Sequence, residues 1–386
     1  MSIKLSRDQK LALESLLDWY KDKNKNQFIT LGGYAGTGKT TLISAFRKKL
    51  YQAKKKAKVA FVTYTGKASR VLDTKLKEVG GVFKGDFVGT IHSLIYSPVT
   101  NDNEEIVGWE LKEDVKCDLI IIDEASMVNS EIWSDLISYK IPIIAVGDHG
   151  QLPPIEGRFN LLERPDILLE QIHRQAEGNP IIQISICARR DGRIPFGRFG
   201  DSVKKIGRDD DEVGELLEGV GEDTMVLCGY NNTRVKLNQH IRANMGFETD
   251  MPESGDRVIC LRNNHVTRIY NGMLGNLDTF QKGDDEEWYL AEINFDDGGD
   301  FKGLIYLKQF NSPVPFNFTS QRRKVMKGDL FDFGYALTVH KAQGGQARRV
   351  ILFEERFRQM DDEMWRRWLY TGVTRAEEEL YLVGNS

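Results

Sequence analysis

The sequence predicts an α/β fold of two tandem parallel-sheet domains, with a small hairpin insertion in the first and a small β-barrel insertion in the second. Three observations carry this expectation. Through the first half, short β-rich runs alternate with helical patterns, as they do where a parallel sheet is covered by helices. A second alternating set starts near Met225 and resumes after residue 329. Between its two parts, at roughly 251–327, Gly, Asp, Asn and Pro punctuate short alternating runs, the texture of a small barrel. The implied division is 1–165 for the first domain, 166–250 and 329–386 for the second, and 251–328 for the barrel.

Taken in order, strands are expected at 28–31, 59–64, 119–122 and 143–146, each running into a polar or Gly-containing turn. In an open α/β sheet, ligands bind at those carboxyl ends. A helix is expected from Lys39 to about Tyr51. The hairpin insertion is placed at about 95–114, where the turn-forming cluster Asn101-Asp102-Asn103 precedes Glu105-Ile106-Val107-Gly108-Trp109-Glu110-Leu111. In the second set, strands are expected at 225–228, 350–353 and 380–383, with a helix at 233–243. Inside the barrel segment, 257–261 and 288–293 alternate as half-buried strands do.

Composition narrows the class without naming a partner. At 40 % hydrophobic and 28 % charged, 386 residues can bury a large core. No run approaches the ~18 apolar residues of a membrane span, and Met1–Ser6 lacks the apolar centre of a secretion signal. Four cysteines, Cys117, Cys187, Cys228 and Cys260, show neither metal-site nor disulfide-framework spacing, which suits a reducing cytoplasm. A net charge of −4 is neutral about nucleic acid, since a narrow basic channel is compatible with it. The lysines at 48, 49, 54–56 and 58 read as a solvated helix end, with a nucleic-acid patch as the lesser alternative.

The segment Gly33-Tyr34-Ala35-Gly36-Thr37-Gly38-Lys39-Thr40-Thr41 fits G-x-x-x-x-G-K-[ST] at every required position. Its glycines allow the tight turn that aims backbone N–H groups and a helix N-terminus at a polyphosphate. Lys39 reaches the outer phosphates and the Thr40 hydroxyl can ligate Mg²⁺. Downstream, Ile120-Ile121-Ile122-Asp123-Glu124 is a buried strand ending in two carboxylates. Asp123 is placed to hold Mg²⁺ and Glu124 to activate water; the alternative is an acidic pair that only ends a strand. Gln151 follows the next strand, where its amide either touches a γ-phosphate or serves as a polar turn residue. Arg174 and Arg375 are candidates for the cation that phosphoryl transfer gains from, although either alone also reads as an ion-pair arginine.

In the order of these motifs the chain resembles superfamily 1 helicases, in particular the 1B group of phage Dda-like, RecD-like and Pif1-like enzymes. That resemblance implies two RecA-like lobes, an SH3-like inserted barrel, and ATP with Mg²⁺ bound in the cleft. Leu5-Ser6-Arg7-Asp8-Gln9 resembles the adenine-reading Q motif, so the implied ATP set is Gln9, Gly33, Gly36, Thr37, Gly38, Lys39, Thr40 and Thr41. Thr63-Tyr64-Thr65-Gly66-Lys67-Ala68 resembles motif Ia, Gly89-Thr90-Ile91-His92-Ser93 motif Ib, and 335–344 motif V. They imply single-strand contacts at Thr65, Lys67, Thr90, His92, Thr338, His340 and Lys341, with Tyr96, Tyr230 and Tyr335 as either base-stacking or core residues. Gly147–Pro154 matches motif III, and Arg174 and Arg375 fall where motifs IV and VI carry arginine fingers. Trp109 lies where this group carries its strand-separating pin; it is either a wedge or a residue that packs the hairpin down. Tyr64 and Gly345 depart from the usual proline and hydroxyl residue.

The implied activity is ATP-dependent translocation on single-stranded DNA, 5′ to 3′, by a monomeric cytoplasmic motor of a bacterial or phage-infected cell. Implied partners are fork or tailed duplex DNA and replication proteins such as a single-strand-binding protein, with no membrane. The alternatives are an RNA-directed helicase and an ATP-switched DNA clamp that does not separate strands.

Overall fold

A computed structural model describes residues 5–100, 106–153, 159–171, 178–262, 264, 267, 269–283, 285–296, 298–314, 316, 324 and 327–385; at 67, 98, 100 and 106–109 it describes the backbone alone.

The first lobe is built on a six-stranded parallel sheet in the order Phe87–Thr90, Val59–Thr63, Leu119–Ile122, Ile143–Gly147, Phe28–Gly33, Ile167–Leu169. Val59–Thr63, Leu119–Ile122 and Ile143–Gly147 are buried along their whole length. This explains their continuous apolar sequence, because a parallel sheet is covered on both faces. One face packs against Leu16, Leu42, Phe46 and Leu76 from helices, the other against Ile91, Ile132, Trp133 and Leu136.

The second lobe repeats the plan in the order Ala336–Thr338, Thr224–Cys228, Ala347–Phe353, Ala376–Gly384, Val203–Gly207, Gly197–Phe199, with only the last strand antiparallel. The insertion forms a five-stranded antiparallel sheet in the order Asp300–Tyr306, Trp288–Phe295, Leu274–Lys282, Arg257–Cys260, Phe331–Phe333. Its last strand lies beyond residue 328, because Phe331 and Phe333 pair with Cys260 and Val258. Val258, Leu277, Ile293, Phe301 and Phe331 belong to the same apolar cluster as Val226, Leu237, Ile241 and Ile351 of the second lobe. Insertion and host share one core.

The expected hairpin is present as Tyr96–Thr100 paired antiparallel with Ile106–Leu111. Its base is held by two tyrosines. The Tyr139 hydroxyl lies 2.7 Å from the Lys112 carbonyl and 3.0 Å from that of Ile95, and the Tyr96 hydroxyl donates to Asp135. The Asp135 bond and burial raise the Tyr96 phenol above its usual range, burial contributing most.

One buried ion pair ties the first lobe together. Arg47 donates from Nε and Nη2 to the two Asp86 oxygens at 2.9 and 2.8 Å, with both side chains fully buried. Asp86 also accepts from the Val59 and Phe83 N–H groups. Asp86→Ala strands the guanidinium without its counter-ion and is expected to cost about 3–5 kcal/mol, read as a lower urea midpoint at unchanged m-value.

Candidate active site and nucleic-acid interface

Five parallel strands of the first sheet end at one edge on residues that the sequence singles out. Phe28–Gly33 runs into the phosphate loop, Val59–Thr63 into Thr65, Phe87–Thr90 into His92, Leu119–Ile122 into Asp123 and Glu124, and Ile143–Gly147 into Gln151. Arg174 follows the sixth strand and lies outside the described residues.

The phosphate loop turns through Gly36 (φ 80°) and Gly38 (φ 74°), the left-handed region that side-chain-bearing residues avoid. No described side chain caps the helix Lys39–Ala53, which leaves its first N–H groups for an anion. Gly33 is needed for a different reason, since a Cβ there would lie 2.6 Å from Thr37 Oγ1. Lys39 Nζ donates to the Gly33 and Tyr34 carbonyls at 2.7 and 3.1 Å, so the ammonium is held over the loop. Gln9 is fully buried beneath it, its Nε2 donating to the Thr37 carbonyl at 3.1 Å and its Oε1 accepting from Ser6 N–H at 3.0 Å. Gln9 therefore braces the phosphate loop, and reading adenine would require its amide to leave Thr37.

A cleft of about 530 Å³ brings the loop together with Asp123, Glu124 and Gln151 of the first lobe and Arg375 of the second. Gly36, Gly38, Lys39, Thr40 and Thr41 line it; Gly33, Thr37 and Gln9 do not. Burial first and the Glu124 charge second raise the Asp123 carboxyl above the usual carboxylate range. Glu124 sits at φ 55°, and its Oε2 is buried with no hydrogen-bond partner among the described residues, as is Gln151 Oε1. Arg375 is buried, donating to the Thr371 carbonyl (3.0 Å), the Gly345 carbonyl (3.0 Å) and Thr374 Oγ1 (3.3 Å). Burial lowers its pKa, while Glu124 and Asp148 oppose that effect. Unpartnered acceptors beside a phosphate loop, facing a buried cation, suit a site that is completed by a metal–polyphosphate ligand.

A second cleft of about 260 Å³ lies where both lobes and the inserted sheet meet. Thr65, Thr90, His92 and Lys341 line it, as their motifs imply, together with Tyr64, Tyr270 and Asn271. The His92 ring is 5.5 Å from that of Tyr270 and 6.1 Å from that of Tyr64, and Lys341 Nζ donates to Asn271 Oδ1 at 2.6 Å. Aromatic faces beside hydroxyls and an ammonium suit a single strand bound by stacking and phosphate contact. Thr338 and His340 do not line this cleft. The Thr338 carbonyl accepts from Lys341 and Ala342 N–H, which shapes the turn behind it, and burial lowers the His340 imidazole pKa. The Lys67 and Trp109 side chains are outside the described set. Tyr335 is buried with its hydroxyl donating to Asp256, a core role, whereas Tyr230 is exposed and lines neither cleft.

Known proteins resemble this chain in sequence and fold. An AAA-domain family model matches residues 20–157, and a UvrD-like helicase C-terminal domain model matches residues 333–383, one in each lobe. The chain is 26 % identical over 413 residues to an ATP-dependent RecD2 DNA helicase of Deinococcus radiodurans, covering 99 % of this chain and 49 % of that protein. It is 25 % identical over 454 residues to the ATP-dependent DNA helicase dda of Enterobacteria phage T4, covering 98 % and 99 %. These matches bear out the resemblance to the superfamily 1B helicases. A solved Pif1 helicase from Bacteroides, in complex with ADP-AlF3 and ssDNA, shares the fold at TM-score 0.52 and 17 % identity, over 100 % of this chain and 93 % of that one. The chain spans 49 % of the Deinococcus protein and 37 % of an uncharacterized Methanocaldococcus jannaschii relative, but nearly all of the phage protein.

Against the superfamily 1B pattern, the structure adds residues that the motifs alone did not single out. Lys75 lines the phosphate cleft from the helix Gly66–Glu78. Tyr270 and Asn271 enter the second cleft from the insertion, and nothing in the sequence places them beside His92. The motif III loop is gripped by the second lobe: Gln343 Nε2 donates to the Leu152 carbonyl (2.7 Å), Leu152 N–H to Thr371 Oγ1 (2.9 Å), and Arg367 to the His149 carbonyl (2.8 Å). Such cross-lobe contacts have no local sequence signal.

Proposed function

We propose that this chain is an ATP-driven DNA helicase that tracks 5′ to 3′ along a single strand and separates a duplex ahead of it. The observation that carries the reading is the position of Gly344. This one residue borders both the phosphate cleft and the aromatic cleft. It has φ 75°, and a Cβ there would lie 2.8 Å from Met127 Sδ of the first lobe. A change in the gap between lobes on the nucleotide side is therefore transmitted to the strand-binding side through a single turn.

In this reading Lys39 and the helix N-terminus bind the polyphosphate, and Glu124 takes the proton of the attacking water. Gln151 orients that water or the γ-phosphate, while Arg375 stabilises the developing charge. Thr40 and Asp123 would hold a divalent cation, Mg²⁺ by preference, and the raised Asp123 pKa fits a carboxylate that gains a cation on loading. When bound, that ion supplies positive charge to the phosphate oxygens. Gln9 keeps the loop in shape. Thr65, Thr90, His92 and Lys341 grip phosphates and bases without reading sequence, as a translocase requires. Fork DNA and replication proteins are the partners that such a motor would meet.

The test is unwinding of 5′- and 3′-tailed duplexes with ATP and Mg²⁺, with Lys39→Ala as the inactive control. Unwinding confined to the 5′ tail supports the reading. Unwinding confined to the 3′ tail reverses the direction, and stimulated ATPase without separation on either tail points to a clamp. Trp109→Ala tests the pin: it is expected to keep at least half of the DNA-stimulated ATPase and to lose unwinding by about tenfold or more, about the 1.4 kcal/mol of one lost base-stacking contact. Equal loss of both activities would assign Trp109 to packing.

A further inference from the structure

The buried phenol of Tyr370 is a polar group that joins both lobes, and the assignments above leave it unused. Tyr370 lies on the second-lobe helix Asp362–Val373 and is 1 % exposed. Its hydroxyl accepts from the Ala35 N–H of the phosphate loop at 2.8 Å and donates to Asp148 of the motif III loop. The other Asp148 oxygen accepts from Gly150 N–H at 2.9 Å, immediately before Gln151. The ring itself meets Tyr34 edge-on at 6.0 Å between centroids, and Arg189, also from the second lobe, lies over the Tyr34 ring at 3.4 Å.

We infer that Tyr370 is a positioning residue that sets the Tyr34–Ala35 peptide and the Gln151 loop together, so that the second lobe fixes both sides of the phosphate cleft at once. The hydroxyl can do this because a phenol donates one hydrogen bond and accepts others. Tyr370 and Asp148 are both buried, which makes the bond between them consequential, since breaking it leaves polar atoms with little access to water. A lobe movement that carries the helix Asp362–Val373 must pull on Ala35 and Asp148 together or break one of the two bonds. Tyr370 thus links polyphosphate seating to the placement of Gln151 without touching the substrate itself.

This rests on the reading of the cleft as an ATP site, so the parent protein and Lys39→Ala are measured first for single-strand-stimulated ATPase. A parent without ATPase overturns both proposals. With an active parent, Tyr370→Phe keeps the ring and removes only the hydroxyl. The expected result is a stimulated kcat lowered about tenfold, roughly one lost hydrogen bond in the transition state, with KM for ATP within about twofold. Asp148→Asn leaves one acceptor for two donors and is expected to lower kcat similarly. The double variant should be no slower than the slower single, because all three changes break one unit. A parental kcat in Tyr370→Phe, or losses that multiply in the double variant, overturns the inference. Should Tyr370→Phe not fold, Asp148→Asn decides alone: a KM effect with unchanged kcat refutes it.

Discussion

Glu124→Gln is expected to bind ATP as the parent does and to hydrolyse it about 10²- to 10⁴-fold more slowly, the range for loss of a positioned general base. The amide is isosteric with the carboxylate but cannot take a proton at neutral pH. Glu124 Oε2 is buried with no hydrogen-bond partner among the described residues, so its exchange for an NH₂ group disturbs no bond that those residues make there. Glu124 also adopts φ 55° at the end of its strand, a conformation that costs a non-glycine residue of order 1–3 kcal/mol. The side chain lines the cleft from this position. Glutamine keeps that backbone, whereas Glu124→Gly would relieve it and lose the side chain together. Equilibrium binding of a fluorescent ATP analogue, with single-turnover hydrolysis alongside, checks both halves of the expectation. Hydrolysis at the parental rate would move the base elsewhere, with Asp123 next in line.

Arg375→Ala is expected to lower turnover by about 10³-fold or more, the effect of removing an arginine finger, with nucleotide affinity largely retained. Here the guanidinium is held back by its own lobe, through Thr371, Gly345 and Thr374, while lining the cleft that contains Glu124. Advance onto a γ-phosphate would exchange those three bonds for phosphate oxygens. Because the side chain is buried, truncation also leaves two carbonyls without this donor, and the alanine variant is checked by thermal melting first. Arg375→Lys separates the effects: it retains the cation without the planar fork and should recover little of the rate. Recovery to near the parental rate would mean that Arg375 acts as a general positive charge rather than a directional donor.

Much of the phosphate side was legible because its chemistry is local. The loop, the strand before it and the helix after it are consecutive, as are Asp123 and Glu124 after their apolar strand. The strand ending at Thr90, the edge strand Ile167–Leu169 and the strand Ala336–Thr338 were harder to read: each is four residues or shorter and takes its partners from distant segments. Thr338 and His340 show the limit of motif reasoning. Both stand in a segment that does reach the second cleft, but a turn alternates exposed and hidden positions, and Lys341 rather than either of them faces inward. Gln9 shows another limit: its neighbour in space is the Thr37 carbonyl, 28 positions away, which no reading of the segment Leu5–Gln9 supplies. Cross-lobe bonds such as Arg367 to His149 join residues 218 positions apart and are invisible until the chain is folded.

The single apolar cluster that runs from the inserted sheet into the second lobe has a consequence for anyone who would edit this chain. An insertion with its own core can be cut out and replaced by a short linker, leaving the host intact. Here excision would strip Val258, Leu277, Ile293 and Phe301 from Val226, Leu237 and Ile241, exposing the host's interior to water. The graft has become part of the tree. A trimmed chain lacking 251–328 is therefore expected to aggregate rather than to behave as a simpler motor, and the insertion's contribution is better probed by point changes at Tyr270 and Asn271 than by deletion.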